Sequence, residues 1–308
     1  MNLQDLMMLY GVTLGARYTR KQRYFFATQM KEALNGTGWD YQIQTNPKGK
    51  TAQRVENIVV GDPSRARTIF VAPYDTPAKS LRPFRYYPFA PEKTMGEERR
   101  DTVLRAGLGM VVAILSVPLI TLAVSRGGIW LLLLLGAALF LFLGYRVMKG
   151  SANEVNFNRA SASVAVCMKL VEELRDKKNS VAFVFCDKSV SAYEGYKVLG
   201  MSLSQNANVV VLDCLAYGET LVLAHGTLAN LRVRKLMEKL PQAKEKNYAD
   251  EALEKNLLSF FPGGMVLTSG RVEGKELVVE GTRSAQDHKL DLPRLEKIVQ
   301  ALEAFARD

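Results

Sequence analysis

Cysteine is scarce in this chain, with three among 308 residues. Cys167, Cys186 and Cys214 are odd in number, unrelated in spacing and set in apolar runs. That excludes a disulfide framework or a thiolate zinc site and predicts reduced core residues. The N-terminal MNLQDLMMLYGVTLGARYTRK has no basic region ahead of a long apolar run, so it does not read as a signal peptide. There is no internal repeat and no low-complexity segment. The formal net charge is +10, but no dense Lys/Arg tract or aromatic–basic motif accompanies it, which argues against a nucleic-acid partner. Dispersed positive charge instead suits an anionic membrane leaflet, at no more than about 1 kcal/mol per well-placed residue.

The most informative lack is of any charge from Ala106 to Val124 and again from Ile129 to Tyr145. At about 1.5 Å per residue, each run makes a helix of roughly the length of a hydrocarbon core. Backbone groups in lipid must be satisfied within the segment, so residues 104–148 predict a two-helix transmembrane hairpin. Its spans are about 106–124 and 129–147, joined by Ser125 to Gly128, with a kink at Pro118. The competing expectation is a helical hairpin buried in a soluble core. Arg99, Arg100 and Arg105 precede the hairpin, Arg146 and Lys149 follow it, and the turn holds only Arg126. The positive-inside rule then predicts a multi-pass protein of the cell (inner) membrane with both termini cytoplasmic.

Removing the hairpin leaves roughly 260 residues, enough for one substantial α/β domain or two small ones. A helix is predicted over residues 3–35, then strands at Trp39 to Gln44, Arg54 to Val60 and Thr68 to Ala72. Leu81 to Met95 is too proline-rich for a helix or a central strand. Its Arg82, Phe84, Arg85, Tyr86 and Tyr87 fit either the membrane headgroup layer or a surface loop packed on its own domain. Beyond the hairpin, helices are expected at Ser161 to Lys177, Tyr193 to Met201, Ala229 to Leu240, Asp250 to Leu258 and Leu292 to Arg307. Strands are expected at Val181 to Cys186, Val209 to Leu212, Thr220 to Ala224, Gly264 to Thr268 and Glu276 to Glu280. Such alternation calls for an α/β sheet covered on both faces.

The order NIVVGDPSRARTIFVAPYDTP, NRASASVAVCMKLVEEL, VAFVFCDKSVSAYEGYKVL, VVVLDCLAYGE and DHKLDLPRLEKIVQAL resembles the di-zinc aminopeptidases of the transferrin-receptor and bacterial secreted type. The resemblance spans about residue 20 to the C-terminus, interrupted by the hairpin. It implies a mixed, mostly parallel, zinc-exopeptidase-like sheet with helices on both faces and the site at the strand ends. It also implies that residues 1–103 and 149–308 form one discontinuous cytoplasmic domain.

Chemically, the family's pair of zinc ions about 3.5–4 Å apart needs His and carboxylate ligands, one of them bridging, and a glutamate base for the bridging water. The resemblance sets Pro73 where a zinc-binding His belongs and keeps Asp75 behind it. It puts Arg159, or Asn158 one residue away, where the bridging aspartate belongs, and Ser189 and Val190 at the base and a ligand. Asp213 survives, and His288 falls near the last ligand without a settled register. Losing a His, the bridge and a Glu should abolish zinc binding, so no metal or other cofactor is expected. Among the survivors, Asp75 and Asp213 fit strand-end caps equally well, Glu194 suits a surface position and His225 a satisfied structural histidine. Ser161 or Ser163 with His288 makes no credible nucleophile–base set.

The expected remnant pocket is therefore Asp75, Asn158, Arg159, Ser189, Asp213 and His288, mildly cationic and facing the membrane. The reading is a non-catalytic aminopeptidase homologue acting as a binding or scaffold module. Its expected partners are the bilayer, an anionic lipid headgroup or another membrane protein. The competing enzyme reading is a membrane-tethered zinc aminopeptidase with a shifted ligand set of Asp75, Asp213, Glu194 and His288.

Overall fold

The structure is a computed structural model in which residues 1–46, 54–125, 129–190, 192–248 and 256–308 are described. In chain order the elements begin with α1 (Leu3–Met8), α2 (Arg20–Asn35), β1 (Tyr41–Thr45), β2 (Glu56–Val60), β3 (Thr68–Pro73) and β4 (Arg85–Tyr86). Three helices follow: α3 (Pro91–Ile114), α4 (Ser116–Ser125) and α5 (Trp130–Lys149). The chain then forms α6 (Ala162–Glu173), β5 (Val181–Cys186), α7 (Glu194–Gly200), β6 (Val209–Asp213), β7 (Thr220–Gly226) and α8 (Asn230–Lys239). It closes with β8 (Lys244–Tyr248), β9 (Met265–Glu273), β10 (Glu276–Glu280) and α9 (Leu292–Arg307).

One mixed sheet organises these elements. Strands β5, β3, β6 and β9 lie side by side and parallel. Strands β2 and then β1 extend it antiparallel beyond β5. On the other side β7 pairs antiparallel with β9, β8 runs parallel to β7, and β10 returns along β9 to meet β4. The central strands TIFVAP, VAFVFC and VVVLD are buried throughout, as continuous apolar runs are when both sheet faces are covered. Period-2 alternation sends Phe70, Phe183 and Val210 towards α2, α6, α8 and α9, and Val71, Val184 and Val211 towards α7 and Leu257, Leu258 and Phe261.

The expected single helix over residues 3–35 is two helices. Arg17 turns inward to donate to the carbonyls of Tyr10 (2.8 Å) and Leu14 (3.1 Å), consuming the acceptors that would continue the first helix. A capping box then starts α2: the Gln22 side chain accepts the Thr19 N–H at 2.9 Å, and Thr19 Oγ1 accepts the Gln22 N–H at 3.3 Å. Strand β8, KEKNY, carries too little apolar signal to be foreseen and lies on the sheet's edge. Most of the helix expected at Asp250 to Leu258 lies outside the described residues, and Leu257–Phe260 is a 3-10 turn.

The segment expected to be a transmembrane hairpin holds two apolar helical stretches packed against each other. Pro91 opens α3, so this helix begins well before residue 104. It breaks at Leu115, because Pro118 has no N–H to offer the Ile114 carbonyl. Residues 126–128 of the expected turn lie outside the described residues. Both helical stretches, Pro91–Ser125 and Trp130–Lys149, are by length and composition long and apolar enough to cross a membrane. They cross where Gly109 faces Gly144: a Cβ on Gly109 would sit 2.7 Å from the Gly144 carbonyl oxygen, and one on Gly144 2.6 Å from that of Gly109. Only glycine allows two helix backbones this close.

A buried charge cluster ties the hairpin to the sheet domain. Asp101 accepts from Ser80 Oγ (2.8 Å), the Leu81 N–H (2.9 Å) and Arg105 Nε (2.7 Å), while Arg105 also donates to the Lys79 carbonyl. Arg283 joins them, donating to the Ala78 carbonyl at 2.8 Å and lying 3.7 Å from Asp101.

Candidate functional site

The sheet register gathers the chemistry at one edge. Pro73 pairs with Cys186, and Val71 with Val211, so the carboxyl ends of β3, β5 and β6 come level. Just beyond them lie Asp75, Asp187 and Ser189, and Asp213 closes β6. The turn Phe157–Ser161 before α6 and the loop before α9 form the other walls, placing the site where parallel α/β sheets carry theirs.

Arg159 fills the centre. Its guanidinium is paired with the Asp213 carboxylate, donates to the Val190 carbonyl at 3.0 Å and stacks over Tyr86, with Cζ 3.7 Å from the ring centroid. Tyr86 closes the group by donating its hydroxyl to Asp213 at 2.8 Å. Arg159 is 3% exposed and Asp213 2%. Burial opposes the Arg159 charge, but Asp213 outweighs it and holds the guanidinium well above its ordinary value. Tyr86 is likewise pushed up, by burial first.

Backbone donors satisfy the other carboxylates. Asp75 accepts the N–H groups of Ser189 (2.8 Å) and Val190 (3.2 Å), and Asp287 those of Asn158 (2.7 Å) and Arg159 (3.4 Å). Burial, reinforced by Asp187, pushes Asp75 up to about 6, and burial pushes Asp287 up to about 7. Asn158 is used at both ends, donating to the Tyr217 carbonyl (3.1 Å) and accepting the Tyr217 N–H (3.3 Å). The Ser189 hydroxyl donates to the Asp187 carbonyl at 3.1 Å, and Asp187 pairs with Arg23 at 2.8 Å. A second buried guanidinium, Arg17, donates to Ser161 Oγ at 2.6 Å. Burial lowers its pKa to about 9 against the attraction of Asp75 and Asp287.

The backbone is held under strain at the same place. Ala160, Lys188, Tyr193 and Cys214 all have positive φ (81°, 49°, 54° and 51°), and each adjoins or lies within a few residues of Arg159, Ser189 or Asp213. Each such residue costs of order 1–3 kcal/mol and persists where its surroundings over-determine it. Asp287 does so for Ala160, gripping the two N–H groups ahead of it.

Of the expected pocket residues, Arg159 and Asp213 are in contact, and Asp75 and Ser189 are joined to them through the Ser189–Val190 backbone. Asn158 lies alongside. His288 does not join: it is exposed, with Nδ1 2.8 Å from the Ala285 carbonyl, because its neighbour Asp287 takes the inward position. The expected cationic pocket is also corrected, since Asp213 neutralises Arg159 and both are buried. The open cleft beside it, about 250 Å³ and bordered by Asn158, Tyr217, Arg271, Glu280 and Lys289, carries charges of both signs. The headgroup-layer placement of Leu81 to Met95 gives way to its alternative of packing on the domain. Phe84 and Tyr86 are buried, Tyr87 is half-buried, Arg82 pairs with Glu97 (2.5 Å), and Arg85 pairs with Glu273. His225 is a buried structural histidine between the Gly226 carbonyl (2.8 Å) and Glu245 (2.9 Å).

Asp287 and Arg17 join the site unexpectedly, and Tyr86, expected in the headgroup layer or a surface loop, is in it. Asp287 was within sight in DHKLD, but Tyr86 meets Asp213 across 127 residues of chain, a pairing no local pattern encodes. The donor set does not fit a zinc pair. The Asp75, Asp213 and Asp287 oxygens are occupied by N–H, O–H and guanidinium donors, and among the described residues no three His, Cys, Asp or Glu side chains converge as ligands.

The whole chain superimposes on solved structures of one fold. It resembles a glutaminyl cyclase from Tannerella forsythia with TM-score 0.59 at 11% identity, over 100% of this chain and 98% of that one. A glutaminyl cyclase from Porphyromonas gingivalis gives 0.56 at 10%, over 99% and 95%. A Zn-dependent exopeptidase from Parabacteroides distasonis gives 0.55 at 9%, over 99% and 94%. No family model and no curated protein matches the chain. The fold is therefore zinc-exopeptidase-like, a broader statement than the di-zinc aminopeptidase resemblance, because glutaminyl cyclases share it.

Proposed function

We propose that this chain is a membrane-anchored, non-catalytic protein of zinc-exopeptidase fold, serving as a binding or scaffold module at the inner face of the cell membrane. The observation that carries the non-catalytic reading is the Arg159–Asp213 pair. A guanidinium occupies the carboxylate that the family resemblance leaves as the surviving ligand, and a buried cation excludes a second one by repulsion. Supporting it, the positive-φ residues around the site hold this salt bridge in place.

Anchoring rests on the hairpin. Its outward side chains, among them Val111, Leu132 and Leu135, are exposed apolar groups on two helices of spanning length. Trp130 and Tyr145, near the two ends of α5, suit the two membrane interfaces. The aminopeptidase alternative needs Asp75, Asp213, Glu194 and His288 around a metal. Here Asp75 is bound by backbone, Asp213 by Arg159, Glu194 lies 3.7 Å from Lys188 and His288 points to solvent.

The test is the metal content of the full chain purified in mild detergent with added zinc, beside assays of peptide hydrolysis and glutaminyl cyclisation. No stoichiometric zinc and no chelator-sensitive turnover are expected. Two equivalents of tightly bound zinc with amino-acid release abolished by a chelator would overturn the reading.

A further inference from the structure

A second site lies where the hairpin meets the domain. A groove of about 400 Å³ runs between the segment after β3 and the last two turns of α5. Its walls carry Lys79, Arg105 and Arg146, with Leu143 and Val147 below them, and no carboxylate lines it. Arg105 is committed to Asp101 and to the Lys79 carbonyl. Lys79 and Arg146 are exposed, and among the described residues neither has an acidic partner. The rim is built rather than loose. The Lys79 N–H donates to the Ser151 carbonyl at 2.9 Å, and the Ser80 N–H donates to the Arg283 carbonyl at 2.8 Å. The Lys79 backbone is thus fixed at its N–H by Ser151 and at its carbonyl by Arg105.

We infer that this groove binds the phosphate of an anionic phospholipid headgroup. Lys79 and Arg146, two cations without an acidic partner among the described residues, line the same groove, and Leu143 and Val147 continue it as the apolar face of α5, where an acyl chain would lie. Tyr145, 54% exposed, sits beside Arg146 at the depth expected of an interfacial aromatic. The inference rests on the membrane reading above but moves headgroup recognition from the old catalytic pocket, whose cation is neutralised, to the hairpin's base. The shared chemistry is a phosphate oxyanion, and the apolar wall favours a lipid over free phosphate as its source.

The test uses the full chain, delipidated in mild detergent and titrated with short-chain phosphatidylglycerol, phosphatidylcholine or inorganic phosphate, read by native mass spectrometry. One phosphatidylglycerol should bind in preference to phosphatidylcholine. Lys79→Gln and Arg146→Gln should each weaken it about fivefold, and the pair about 25-fold, as about 1 kcal/mol per charge implies. Thermal melts should match the unsubstituted protein, since neither side chain has a structural partner. Equal binding of the two lipids, or variants that keep the preference, would overturn the site. Displacement of the lipid by an equal concentration of inorganic phosphate would overturn the lipid assignment. Alkaline carbonate extraction of native membranes tests the anchoring separately: release of the chain would refute the membrane reading while the detergent titration still reports on the groove.

Discussion

Replacing Arg159 by methionine keeps much of the side-chain volume and removes the charge. The Asp213 carboxylate, 2% exposed, then keeps Tyr86 and Cys214 as its hydrogen-bond donors among the described residues. Breaking one partner of a buried ion pair typically costs about 3–5 kcal/mol. The loss of stacking on Tyr86 falls within that range, being worth about 2 kcal/mol when desolvated. For a domain of this size the midpoint of thermal unfolding should fall by roughly 6–20 °C, at about 2–4 °C per kcal/mol. Asp213→Asn should cost a similar amount by stranding the guanidinium. The double variant Arg159→Met/Asp213→Asn should lose about 2 kcal/mol less than the sum, because neither charge is then left alone. Chemical denaturation of the four proteins in mixed micelles measures all of this. Single losses below about 1 kcal/mol, or additivity within about 0.5 kcal/mol, would refute the buried pair and the closed-site argument with it.

Two further outcomes follow from other parts of the fold. Gly144→Leu should separate α3 from α5, since even a Cβ there lies 2.6 Å from the Gly109 carbonyl oxygen. Thermal melts in mild detergent check this, and an unchanged midpoint for Gly144→Leu would refute the close crossing. Asp287 supplies a pH signature: its native value, about 7, lies above the roughly 3.9 of an unfolded aspartate, so the native state binds the proton more tightly. Its contribution to stability should therefore grow as pH falls from about 7 to about 4 and vanish as pH rises through 7, with a slope up to about 1.4 kcal/mol per pH unit. Asp287→Asn should remove that slope in pH-dependent denaturation, and an identical pH profile for both proteins would show that Asp287 does not titrate there.

Local chemistry and periodicity were sufficient for much of the architecture. The two charge-free runs determined the hairpin, since an uncharged stretch of that length has few ways to satisfy its backbone. Continuous apolar runs such as VAFVFC and VVVLD determined the central parallel strands, because only residues covered on both faces can be apolar throughout. The family resemblance, not periodicity, set Pro73 and either Arg159 or Asn158 on the positions where cation-holding groups would be expected. It could not show where the Arg159 charge goes.

That was decided by tertiary structure. Asp213, Tyr86 and Arg159 come from three separated parts of the chain, and only the sheet register with the β4–β10 pairing brings them within contact. The fold also turned Asp287 inward and His288 outward, a choice set by which side chain could accept the N–H groups of a strained turn. A guanidinium read from sequence is a free positive charge. Buried against a carboxylate it is neutralised, a pairing that only the folded sheet creates.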